Sequence, residues 1–378
     1  MKWEREIDVE RLPMLEMLAR AGAARAPEAP EAWLRLGELQ GMLGRAEAGD
    51  SFDKAAALAS GDPMRLLSLA GDFARLNERD RALAAVDAAL ALAPDDAHAR
   101  TLKLRSLFMT HRYPEARRLI EDGETVDLGV RGVLAMHEDA GTAPERLLAL
   151  CAQVLETQPR NAEAHFYRAL SLARLGRRDE ACAVVDLDRL VRTLSLPAPP
   201  SFADGEAFRA ALAAEVLANP TQKHDPGYRS TQQGRQVARL EQPGTRAVPA
   251  LLRQIEKAVD AYIADLPDAP ARAKLHSWAV ILGGDGFQRS HYHPTGWLSG
   301  VYYVAAPRPA GANTYPGRLI VGALKEERAA LQAAWGTREI EPVPGRLVLF
   351  PSYIPHATEP SGIDADRISI AFDVMPVD

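Results

Sequence analysis

The sequence predicts an α+β chain in two parts: an all-α array of helical repeats, then a sandwich or barrel of short β-strands. Three observations carry this. Small and apolar residues recur every 34 positions through the first half. From Trp278 onward the hydrophobic period changes to two. Between them, Leu196-Pro197-Ala198-Pro199-Pro200-Ser201 breaks the helical pattern. The expected domains are therefore 1–196 and 197–378.

In the first half Ala48, Ala82 and Ala116 are in phase, as are Phe52, Val86 and Ile120. Leu36, Ala70 and Leu104 share a register, and so do Leu39, Phe73 and Leu107. Pro94 opens a new unit. The register slips after Glu121-Asp122-Gly123; Ala135, Cys151 and Pro159 then mark a fourth unit, and Ala169, Leu172, Ala181 and Val185 a fifth. The units read 29–62, 63–96, 97–127, 128–161 and 162–195. Small residues recur where two helices cross closely, and each unit needs its neighbours to bury its apolar face. The pattern resembles the tetratricopeptide repeat, which implies a solenoid. Such an array is either a scaffold and dimerisation surface or a concave groove that holds a peptide. Arg75 and Arg174 share one repeat position near that groove and Arg105 is close by, but each reads first as a solvated surface arginine.

After the linker, 202–218 reads as a helix, 220–244 as polar loop with at most one strand, and 251–266 as a second helix. Flanking helices thus occupy 202–270 and a β-core 276–376. The expected strands are 278–282, stopped by Gly283-Gly284-Asp285-Gly286, then 288–293, 298–304, 318–321, 346–350, 354–358 and 367–374. Short strands separated by turn residues suggest a sandwich or barrel.

With 378 residues, 47% hydrophobic and 25% charged, the composition is that of a globular protein. A net charge of −6 gives no basic field for nucleic acid. The first residues lack the apolar core of a signal peptide, and no apolar run approaches a membrane span. The expectations are a cytoplasmic location, no nucleic acid and no membrane. Cys151 and Cys182 fall at apolar positions of helical repeats and are expected to be buried reduced thiols.

The chemistry concentrates in His291-Tyr292-His293-Pro294, answered by His356 and by Arg367-Ile368-Ser369. Residues two apart on a strand face the same side, so His291 and His293 can reach one metal. The familiar non-haem iron face has two histidines and one carboxylate, with positions left open for co-substrate and O2. Here His293 stands in the carboxylate slot. It either binds the metal as a third imidazole or hydrogen-bonds substrate or a metal-bound water. Asp285 and Asp373 are the fallback carboxylates. His276, His224 and His98 fit no ligand spacing.

Over 276–374 the chain resembles bacterial 2-oxoglutarate/Fe(II) oxygenases. Their core reads His-x-His-Pro, Ser-Gly-Val-Tyr-Tyr, Pro-Gly-x-Leu-x-Leu-Phe-Pro and a distal His. Here these are His291 to Pro294, Ser299 to Tyr303, Pro344 to Pro351, and His356. His291-x-His293-Pro294-Thr295 is also similar to the His-x-Gly-Pro-Thr stretch of aspartyl/asparaginyl β-hydroxylases, which carry tetratricopeptide repeats before the oxygenase domain and manage with two histidine ligands. The resemblance implies a double-stranded β-helix (jelly-roll) with Fe(II), 2-oxoglutarate and O2 as cofactors. It implies His291 and His356 as ligands with His293 beside them, and Arg367 with Ser369 as the clamp on the far carboxylate of 2-oxoglutarate. Beside these, Tyr303 and Ser299 either bond the co-substrate or pack in the core; Arg289 reads first as a solvated arginine and otherwise meets an acidic substrate group; Asp373 and Trp297 are further candidates to face substrate. The implied reaction is hydroxylation of a peptide or protein side chain held by the repeats, with Asp or Asn as candidates. Two readings stay open beside it: a small-molecule hydroxylase or halogenase whose repeats serve a homodimer, and a non-catalytic adaptor.

Overall fold

The computed structural model describes residues 1–4, 8–110, 112–121, 143–225, 230–264, 269–325 and 329–377. It forms two compact units, Glu10–His137 and Met1–Val9 with Glu138–Asp378.

In the Glu10–His137 unit, helices pair at the expected spacing. Pro30–Met42 and Ala48–Ala59 fall inside 29–62, Pro63–Arg75 and Arg79–Leu92 inside 63–96, and Ala97–Met109 and Tyr113–Glu121 inside 97–127. The repeat positions are the buried ones: Leu36, Leu39, Phe52, Ala70, Phe73, Ala82, Val86, Leu104, Leu107 and Ala116. At Gly37 an added Cβ would come within 2.6 Å of the Phe52 ring, so only glycine lets that pair close. Phe52 then meets Phe73 edge-on, with centroids 5.6 Å apart. Asp62 starts its helix by accepting from the backbone N–H groups of Met64 and Arg65. Arg75 is exposed and pairs with Glu38 at 3.2 Å. The register slip after Glu121, Ala135 and the first half of the fourth expected unit lie outside the described residues.

The other unit does not begin at the proline linker. Helices Pro144–Thr157, Ala162–Arg174 and Arg178–Val184 belong to the same compact unit as the sheet. The expected fifth repeat also ends early: Arg192–Ser195 is a strand that pairs with Arg346–Leu349. Of the two cysteines, Cys151 is buried but Cys182 is exposed. The short helix Arg178–Val184 buries only Ala181, so the expectation for Cys182 fails.

Among the described residues eleven strands form one sheet. They are β1 (Lys2–Glu4), β2 (Arg192–Ser195), β3 (Gln222–His224), β4 (Thr231–Val237), β5 (Arg272–His291), β6 (Leu298–Ala305), β7 (Leu319–Val321), β8 (Arg338–Ile340), β9 (Arg346–Pro351), β10 (His356–Thr358) and β11 (Arg367–Pro376). The order runs β2-β9-β6-β11-β5-β10-β7-β8, with β1 and β4 also on β5. Every pairing is antiparallel except β1 with β5. The glycines at 283–286 do not stop a strand, as the sequence suggested. They let β5 turn while it continues, with Gly284 at φ +52°. β5 pairs with β11 as far as Leu282 and with β10 from Gln288. One strand thus serves both halves of a curled sheet.

Alternation then sorts the side chains. Ile368, Ile370, Phe372 and Val374 of β11 pack with Tyr302, Leu347 and Leu349 under helices Gly205–Leu217 and Ala247–Ile263, through Phe208, Leu212, Leu251 and Ile255. The intervening Arg367, Ser369 and Ala371 line a cavity on the opposite face. Among the described residues no helix is long and apolar enough to cross a membrane.

Candidate metal centre

His291 ends β5 and His356 begins β10, and the two face each other directly in the strand register. His293 follows two residues on, its backbone N–H donating to the carbonyl of Ser352 at 2.9 Å. One ring nitrogen from each of the three histidines lies within 4.8 Å of the others. Ring centroids are 4.3 Å apart for His291 and His356, and 5.1 Å from His293 to each.

The tautomers follow from the partners. Nδ1 of His291 faces the carbonyl of Arg289 at 2.8 Å, and Nδ1 of His356 faces that of Ile354 at 3.1 Å. Nδ1 of His293 faces Oδ1 of Asp373 at 2.5 Å. A carbonyl or carboxylate oxygen only accepts, so each Nδ1 carries a proton and Nε2 is the atom left to face the cavity. Three imidazoles oriented through Nδ1 and gathered at one point are what a divalent cation needs. Burial first, and then the neighbouring His293, pushes His291 down to about 3. Burial and the other two histidines hold His356 well below the ordinary range. All three residues named from the sequence as ligands therefore meet.

The residues expected to bind the co-substrate also meet, on the inner face. Arg367, Ser369, Tyr303 and Ser299 line the same cavity as the histidines. Arg367 is only 3% exposed; its Nη1 donates to the carbonyl of Gly317, and its buried Nε has no partner. Among the described residues no carboxylate pairs with it. A buried guanidinium left this way calls for an anion from outside the chain. Burial lowers the Arg367 pKa while Tyr303 opposes the shift. Burial raises the Tyr303 phenol to about 12. The Ser369 hydroxyl donates to the carbonyl of Val280 at 3.3 Å.

Three other expectations come out differently. Asp373 sits behind His293 on its far ring nitrogen. Arg289 is exposed, and Trp297 packs against the helix-covered core; neither lines the cavity. The lining also includes Trp278, Gln288, Leu319, Phe350 and Thr358, which the sequence reading did not single out. Trp278 has the parity of Val280 and His276 on β5, so period two could have found it. Ser230, whose hydroxyl lies 3.3 Å from Nε2 of His291, comes from the β3–β4 connection and gave no sequence signal.

Residues 276–373 match the family described as "Putative 2OG-Fe(II) oxygenase". They form a 2-oxoglutarate/Fe(II) oxygenase domain. The chain is thus a dioxygenase, and its cofactors are Fe(II) and 2-oxoglutarate, for which the three histidines and Arg367 provide fitting donors. No curated protein matches the chain. Among solved structures, a Pseudomonas putida prolyl-4-hydroxylase is 20% identical over 52% of this chain and 99% of its own, with a TM-score of 0.38. A Trichoplax adhaerens prolyl hydroxylase, in complex with a hypoxia inducible factor peptide fragment, is 14% identical over 53% and 92%, at 0.34. HygX from Streptomyces hygroscopicus, with nickel, 2-oxoglutarate and hygromycin B bound, is 16% identical over 51% and 86%, also at 0.34.

Proposed function

We propose that the oxygenase domain hydroxylates a peptide or protein side chain, with Asp or Asn as the favoured residues, and that helical repeats hold the substrate. The observation that carries the hydroxylase reading is the shared cavity of three clustered imidazoles and one buried arginine without a carboxylate partner. In this reading His291, His293 and His356 hold Fe(II) through Nε2, and Arg367 forks onto the far carboxylate of 2-oxoglutarate. Ser369 and Tyr303 orient that end. Trp278, Leu319 and Phe350 keep water from the reacting face. Bound there, Fe(II) supplies the chemistry of the overall conversion: 2-oxoglutarate, O2 and a C–H substrate give succinate, CO2 and the alcohol.

The macromolecular substrate rests on the architecture of the chain. An array of paired helices precedes the oxygenase domain, and repeat arrays of this kind offer extended concave surfaces. If His293 holds the metal as a third imidazole, it would fill the place that a missing carboxylate leaves for a halide, which disfavours the halogenase alternative.

The test is succinate formation from 2-oxoglutarate with Fe(II) under air. Wild type should form succinate and His356→Ala should not, and peptides should stimulate turnover. Failure of the iron-loaded wild type to form succinate with a broad peptide panel would end the peptide reading. Stimulation by small molecules alone would favour the small-molecule hydroxylase.

A further inference from the structure

The iron faces that carry one carboxylate bring a negative charge to the metal directly. In this chain a carboxylate, Asp373, stands behind one of the three imidazoles, on its far ring nitrogen. Asp373 lies on the inner face of β11, 6% exposed. Its Oδ1 accepts from Nδ1 of His293 at 2.5 Å and from the Ser299 hydroxyl at 2.6 Å. Ser299 also bonds the Ser352 hydroxyl at 2.8 Å, and the Ser352 carbonyl takes the His293 backbone N–H. Gly296 closes the packing: a Cβ there would lie 2.5 Å from Ser352 Oγ and 3.2 Å from Asp373 Cγ. His293 is thus held at its main chain and at its ring by one buried cluster. The Nδ1 atoms of the other two histidines face backbone carbonyls, which are neutral.

Among the described residues no lysine or arginine pairs with Asp373; the ring nitrogen it faces is that of His293. A buried carboxylate in that state is stabilised by positive charge arriving on the far side of the imidazole. Hydrogen bonding from a carboxylate also raises the basicity of a ligating imidazole and fixes its orientation. The charge balance supports the same view. Two neutral histidines, one carboxylate ligand and a divalent ion sum to +1. Three neutral histidines, a divalent ion and Asp373 behind one of them give the same sum.

We propose that Asp373 is a positioning residue for the metal centre: through His293 it fixes the third imidazole and supplies, from behind it, the negative charge that a carboxylate ligand would bring. The proposal rests on the metal reading of the three histidines. It assigns Asp373 neither to the metal nor to substrate.

The test uses Co(II) with the full-length chain in the absence of 2-oxoglutarate, so it does not depend on turnover. Asp373→Asn keeps a hydrogen-bond acceptor of the same shape and removes the charge; Asp373→Ala removes both. Metal affinity should fall by about 10- to 100-fold in Asp373→Ala. The Asn variant should fall between it and wild type, with a shifted ligand-field spectrum in both. His293→Gln should change the spectrum further, as a ligand would. Circular dichroism of the metal-free proteins checks that each variant folds, and the near-isosteric Asn variant carries the test if the Ala variant does not. Wild-type Co(II) affinity and an unchanged spectrum in Asp373→Asn would overturn the positioning role. An unchanged spectrum in His293→Gln would overturn it too, by removing His293 from the metal. Neither result touches the dioxygenase reading, which the succinate assay on His356→Ala decides separately.

Discussion

Tyr292 stacks on Phe166, with ring centroids 4.1 Å apart and planes 20° from parallel. The residue between two cavity-facing histidines must point the other way, and here it points at helix Ala162–Arg174. Its hydroxyl donates to Glu163 at 3.3 Å. Burial raises the pKa of Glu163, and the Tyr292 hydrogen bond opposes it. Nearby, His165 stacks on Tyr353, whose hydroxyl donates to the carbonyl of Val184. The backs of the metal-bearing segments are therefore the seat of the last helical pair. Tyr292→Ala should cost about 1–3 kcal/mol in urea unfolding. Tyr292→Phe, which keeps the stack, should cost about 0.5–1.5 kcal/mol. Proteolysis within 144–190 should accelerate in the Ala variant, and equal losses in the two variants would show that the stack contributes nothing.

Gly317 takes up φ +75° and presents its carbonyl to Arg367, and an added Cβ would come within 2.8 Å of Arg367 Nη1. Gly317→Ala should therefore displace the guanidinium. The apparent KM for 2-oxoglutarate should rise about 10-fold or more, because a charge-assisted hydrogen bond contributes about 1.5–3 kcal/mol. Arg367→Lys, which keeps the charge and loses the fork, should show the same direction. Co(II) affinity measured without 2-oxoglutarate should stay at the wild-type value in both.

Glu215 caps a helix that is not its own. Its two oxygens accept from the backbone N–H groups of Arg246, Ala247 and Val248 at 2.7, 2.8 and 2.8 Å, at the start of Ala247–Ile263. That helix covers the sheet through Leu251 and Ile255. Glu215→Ala leaves these donors without a partner, at a cost of about 1–2 kcal/mol in thermal or urea unfolding. Glu215→Gln should recover part of the loss, and a wild-type midpoint for Glu215→Ala would show that the cap adds no stability.

Cys151 is buried, and burial pushes its thiol up to about 12, whereas Cys182 is exposed. The thiolate is the reactive form. An aromatic disulfide reagent should titrate one thiol in the native protein and two in denaturant. Cys182→Ser should abolish the native reaction, and a native reaction that survives this change would place Cys151 within reach of solvent.

The sequence by itself determined the elements whose signal is local or periodic. The spacing of Ala82, Val86 and Phe73 foretold buried helix crossings, because a helix pair repeats its contacts at a constant interval. Alternation along β11 placed Arg367 and Ser369 on one face and Ile368 and Ile370 on the other, because a strand can do nothing else with consecutive side chains. His291, His293, His356 and Arg367 stood out in the sequence through their types, their spacing and the motif resemblance, and the fold brings them to one cavity. Tertiary structure decided what depends on contacts distant in sequence. The glycines at 283–286 bend β5 instead of ending it, since β11 and β10 satisfy its backbone on either side. Helix Ala162–Arg174 keeps the period of the repeats yet packs on the oxygenase strands, because Tyr292 and Tyr353 offer its rings a surface. Asp373, eighty residues beyond His293, meets its ring nitrogen only because β11 pairs with both β5 and β6. Strand pairing at that range leaves no periodic trace in the chain, so the role of the carboxylate became visible only in the fold.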